Sequence, residues 1–165
     1  MSVKDEKFNM AVVLAVTKEY ERQRIVMREH YEMLMNRRAA FPEKRIEGLD
    51  YENLVLLAAS AKHEANTLVE QCTTLANLTE VDHEYFEAKV LIYMADDLLK
   101  DLGFDDSTAV LRTAATTSSL QLSNLRKEKV MLFALRDSAV RLFRTFESDE
   151  VNFRQFYKGN EIRGF

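Results

Sequence analysis

The chain is short of the residues that interrupt helices. Pro42 is its only proline, and Gly48, Gly103, Gly159 and Gly164 are its only glycines. Each of these residue types costs a helix interior stability, so five of them in 165 positions leave few places to turn. The uninterrupted intervals are 41 residues before Pro42, 54 between Gly48 and Gly103, and 55 between Gly103 and Gly159. Cysteine is equally scarce. Cys72 stands alone, which excludes an intrachain disulfide and a thiolate zinc site and fits a reducing compartment. No apolar run approaches the roughly 18–20 residues that span a bilayer, and the opening Met1-Ser2-Val3-Lys4-Asp5-Glu6 lacks the apolar core of a signal peptide. The expected location is the cytoplasm, with no membrane partner. Glycine is too sparse for a phosphate cradle, and nothing matches a P-loop, G-x-G-x-x-G or G-x-S-x-G.

What is present is apolar and charged in the proportions of a helical bundle, 47% and 30% of residues respectively. The net charge of −4 conceals a segregation: residues 1–50 sum to +1, residues 51–110 to −9, and residues 111–165 to +4. An acidic middle beside a basic final third suits pairing within the fold, head-to-tail pairing between copies, or a basic face for phosphates.

The spacing predicts a first helix from about Asp5 to Arg38, with Val13, Val16, Tyr20, Met27, Tyr31 and Leu34 on one face. Residues 39–50, holding Pro42 and Gly48, form a linker. Asp50 caps a second helix, Tyr51 to Leu78, whose seam reads Leu54, Leu57, Ala61, Ala65, Leu68, Cys72, Leu75 in near-heptad steps. Thr79 or Asp82 starts a third helix that runs through Phe86, Val90, Tyr93, Met94 and Leu98 to a stop at Gly103, with Phe104 folding back on Leu99. A fourth extends from Asp105 to about Phe146. The small polar stretch at 112–124 weakens it, but Leu111, Ser118, Leu125, Leu132, Ala139 and Phe146 keep a seven-residue spacing through that stretch. Ser148, ahead of Asp149 and Glu150, caps a last short helix that ends at Gly159. The expected fold is therefore all-α, a single domain over residues 1–165. It is an antiparallel, coiled-coil-like bundle of three to four long helices with a short aromatic C-terminal helix and tail at 147–165.

Four constellations bear on chemistry. Glu80 and His83 share ExxH spacing with Glu87 one turn on, but di-iron bundles need a second such pair, and neither His30 nor His63 has a glutamate three residues earlier. The ordinary reading is the acidic first turn of a helix, and no metal is expected. Glu29-His30-Tyr31-Glu32 followed by Glu47-Gly48-Leu49-Asp50 gives an ExxE pair and then an ExxD pair, and Glu84-Tyr85-Phe86-Glu87 with Asp96-Asp97 has a similar look; hard oxygen ligands of this kind suit Mg²⁺. This slightly resembles the all-helical nucleoside-triphosphate pyrophosphohydrolases of the MazG type. The resemblance implies a Mg-dependent nucleotide pyrophosphohydrolase, but it covers a few residues only and carries no ligand position across, and Gly48 puts the second pair in the linker. Arg126, Lys127, Lys129, Arg136, Arg144, Arg154 and Lys158 make the final third basic, and Phe153, Phe156 and Tyr157 lie among them to stack on bases. They suit an accessory protein for single-stranded nucleic acid, although a pI near 5.5 is low for a dedicated binder. Finally, six of ten phenylalanines fall in residues 133–165. Phe143, Phe146, Phe153, Phe156, Tyr157 and Phe165 are candidates for an interface with another subunit, or else for packing on the chain's own bundle. Cys72, in the apolar seam, reads as a small buried hydrophobe. The leading expectation is a non-enzymatic, oligomerising structural or adaptor protein without cofactor, whose partner is itself or another protein.

Overall fold

The computed structural model describes residues 10–102 and 120–162, with side chains at 11–92 and 120–159. Apart from one loop, every described residue is α-helical, and there is no strand among them. Helix α1 is Met10–Ala39, α2 is Tyr51–Leu102 and α3 is Leu120–Ile162. The expected starts and stops at Asp5, Gly103, Phe104, Asp105, Leu111 and Ser118 lie outside the described residues.

Two expected boundaries are absent. The second and third helices are one helix, because α2 runs through Thr79 and Asp82 without a break. Thr79 is fully buried, and its hydroxyl donates to the Leu75 carbonyl at 2.6 Å, so it bonds back to the preceding turn instead of capping a new one. With neither glycine nor proline between Tyr51 and Leu102, nothing forces the backbone out of helical dihedrals. The short C-terminal helix likewise proves to be the continuation of α3, which passes through Ser148 and through Gly159 as well. Leu125, Leu132, Ala139, Phe146 and Phe153 are all buried at seven-residue intervals, so the core-facing row crosses Ser148 unbroken. Asp149 and Glu150 serve as ion-pair partners in mid-helix, with Arg38 and with Lys62 and Arg154 respectively.

The loop after α1 is built as its residues require. Ala40 and Phe41 donate back to the carbonyls of Arg37 and Arg38, which closes the helix ahead of Pro42. Gly48 takes φ +83°, a region other residues rarely adopt. The Asp50 carboxylate accepts the Asn53 N–H at 3.0 Å as the N-cap of α2, and the Tyr51 hydroxyl accepts the Ile46 N–H at 2.7 Å.

The described residues form two compact units. The first comprises 10–24, 74–102 and 120–132; the second comprises 25–73 and 133–162. In the second unit the three helices pack around Leu34, Ala61, Ala65, Leu68, Cys72, Leu135, Ala139, Leu142 and Phe146. The alanines let helix backbones approach, and Phe41, Met27, Tyr31, Val69 and Phe143 close the edges. A smaller cluster at the loop end joins Tyr51, Ala58 and Phe153. In the first unit Val13, Tyr20, Leu75, Ala76, Phe86, Val90, Leu122, Leu125 and Leu132 are buried, together with the polar residues Thr17, Thr79, His83 and Glu128.

Candidate interaction surfaces

The aromatic residues of the C-terminal third face inward. Phe146 and Phe153 are buried, and Phe41 meets both edge-on, with ring centroids 6.0 and 5.4 Å away. Tyr51 lies 5.3 Å from Phe156 in the same geometry, and Tyr157 packs on the same cluster. Phe143 is half-buried against the main core of the second unit. These five side chains are thus brought together by the chain's own packing, while Phe165 lies outside the described residues.

The cations of α3 divide into two groups. Arg154 pairs with Glu150 at 2.6 Å, and Arg136 pairs with Asp137 at 2.8 Å while its guanidinium stacks 4.9 Å from the Phe133 ring centroid. Arg126, Lys127, Arg144 and Lys158 are exposed and form no ion pair with described residues, and Lys129 is half-buried near His83. In the second unit Arg141, Arg144, Val151 and Lys158 recur at helical spacing on the exposed face of α3.

The acidic motifs do not converge. Glu29 and Glu32 are both exposed on α1, where Glu32 lies 3.4 Å from Arg28. Glu47 is in the loop, Asp50 is occupied as a cap, and the side chains of Asp96 and Asp97 lie outside those described. Among the described residues no three His, Cys, Asp or Glu side chains gather as metal ligands. No described helix is long and apolar enough to cross a membrane.

Two features of the first unit were not expected. One is its interior polar set. Arg24 donates to both Glu128 oxygens, at 2.7 and 3.1 Å, and both side chains are largely buried. The carboxylate in turn holds the Arg24 guanidinium protonated. The Tyr20 hydroxyl donates to Asp82 Oδ2, and burial together with that carboxylate raises the phenol's pKa. His83 is buried, its Nδ1 is 3.8 Å from Glu87, and its Nε2 has no hydrogen-bond partner. Burial, with Lys129 and Arg126 nearby, lowers its pKa, against the pull of Glu87 and Glu84.

The other is the outer face of α2. Leu78, Val81, Tyr85 and Ile92 are 52%, 61%, 53% and 68% exposed, and Ala88 between them is exposed too. They recur in steps of three, four, three and four, so they form one row along the helix. The opposite face holds the buried Leu75, Thr79, His83, Phe86 and Val90. Both rows are visible in the sequence as interleaved three-and-four patterns. The outer one is masked there because Thr79 and Asp82 signal a helix start at that place. Comparison of the chain with protein-family models, curated proteins and solved structures finds no match.

Proposed function

We propose that this chain is a non-enzymatic cytoplasmic helical protein that works through protein–protein interfaces and associates with copies of itself. It would do so as an antiparallel, coiled-coil-like bundle needing no cofactor. The observation that carries this reading is the outer row of α2. A helix segment that is apolar on opposite faces is one that is covered on both in its working state. Helices of 30, 52 and 43 residues also exceed the 11 or 12 of an average globular helix, which leaves long faces for a partner. Light scattering at micromolar concentration, with and without added salt, tests the proposal. A mass of two or more chains is expected, and a monomer under both conditions contradicts it.

A second reading has its own support. Arg126 and Lys127 in the first unit, and separately Arg144 and Lys158 in the second, present exposed charge without counter-ions among the described residues, as contacts to a single-stranded nucleic-acid backbone do. Binding to a single-stranded oligonucleotide that weakens steeply with salt, and is lost when these four are changed to glutamine, would favour it over the first.

A further inference from the structure

We propose that the outer row of α2, Leu78 to Ile92, is the face on which a second copy of this chain docks, antiparallel, with Tyr85 over Ala88 of that copy. The inference rests on the self-association proposed above and gives it a face and a register. Leu78, Val81, Tyr85, Ala88 and Ile92 occupy the two inner positions of a heptad, which places Asp82 and Lys89 along one flank and Glu84 and Leu91 along the other. When two such segments run antiparallel, each flank meets its own counterpart, and two registers bring four of the five seam residues into shared layers.

In the first register Tyr85 lies beside Val81 of the second copy. The flanks then bring Asp82 against Asp82 and Glu84 against Glu84, and like charges in contact oppose association. In the second, Val81 meets Ile92 and Tyr85 meets Ala88, so the largest side chain of the row is matched to the smallest. Asp82 then lies beside Lys89 of the other copy, and Glu84 beside the aliphatic Leu91. Tyr20 engages only Oδ2 of Asp82, which leaves the other carboxylate oxygen for such a pair. The Lys89 ammonium already reaches the seam, 5.6 Å from the Tyr85 ring centroid. Charge and size thus select the same register, and the two-fold axis makes every contact occur twice.

Cysteine pairing reads the register directly. Tyr85→Cys and Ala88→Cys are made separately in the full chain, mixed, and oxidised. The native Cys72 is buried with its thiol pushed up to about 11, so it does not compete. A mixed disulfide that forms faster than either homodisulfide, together with a dissociation constant raised about 100-fold or more by Ile92→Glu, is the expected result. Ile92 is exposed, so the glutamate leaves helix content unchanged by circular dichroism. A wild-type dimer that shows neither the mixed disulfide nor sensitivity to Ile92→Glu overturns this face and leaves self-association standing. A monomeric wild type overturns both.

Discussion

The two units of this protein differ in how far their ion pairs are withdrawn from water. The second unit is apolar and aromatic inside, and although Glu150 is buried, every ion pair there keeps one partner partly in water: Arg37 with Glu64, Arg38 with Asp149, and Lys62 and Arg154 with Glu150. The first unit draws Arg24, Glu128, Asp82, Tyr20 and His83 into contacts between helices and leaves Leu78, Val81, Tyr85 and Ile92 outside. An ion pair removed from water is stabilising only while both partners remain. Both units also leave large apolar side chains in water, Leu56 and Met33 in the second as well as the outer row of α2 in the first.

The contrast can be broken at either end. The largest effect is expected in the second unit. Phe146→Ala opens a cavity where Phe146, Phe41 and Leu142 meet and should cost about 4 kcal/mol by urea denaturation. In the first unit Arg24→Ala strands the Glu128 carboxylate and should cost about 3 kcal/mol by the same measurement. Replacing both residues together, Arg24→Met with Glu128→Leu, should recover most of that loss. If the single change is silent, the polar interior is not closed to water.

A smaller effect depends on pH. His83 binds a proton less readily in the folded chain than at its ordinary value of 6.5, so the unfolded state takes up protons first as pH falls. The contribution of the neutral imidazole is full above that value and is lost as the pH drops below it. Unfolding midpoints at about pH 7.5 and about pH 5.5 should differ more for the wild type than for His83→Gln. The groups that set the shift face His83 from α2 and α3: Glu84, Glu87, Arg126 and Lys129. The smallest effect is expected at Arg22→Ala, whose pair with Glu19 is fully in solvent. Stability should not change measurably. The Glu19 carboxyl, held at about 2 chiefly by the hydrogen bond from Arg22, should titrate nearer its usual range by NMR.

Much of this arrangement can be read from the sequence where apolar spacing is strong. Val13, Tyr20 and Leu34 are buried on α1, and Ala61, Ala65, Leu68, Cys72 and Leu75 on α2, as their steps require. One step earlier on α2, spacing and burial part. Leu57 is exposed and Ala58 is fully buried, because the loop-end cluster of Tyr51 and Phe153 accepts a small residue there. The false boundaries share one cause. Thr79, Asp82 and Ser148 are good caps in isolation, yet a cap acts only if the backbone leaves the helix, and the buried rows on α2 and α3 hold it in place. Of the candidate interface, the aromatic end is conspicuous by composition alone. The outer row of α2 is apolar in the sequence too, but only the burial of Thr79 and His83 on the opposite face shows that the row is left outside. The partnership of Arg24 with Glu128 spans 104 residues and has no local signal.

The most direct measurement sets one exposed valine against another. Val81 lies on the outer row in the first unit, and Val151 is comparably exposed on α3 in the second. Sedimentation equilibrium of Val81→Glu and Val151→Glu beside the wild type should give a monomer for the first and the wild-type dimer for the second. A Val81→Glu chain that stays dimeric while Val151→Glu dissociates would place the interface in the second unit and contradict the account.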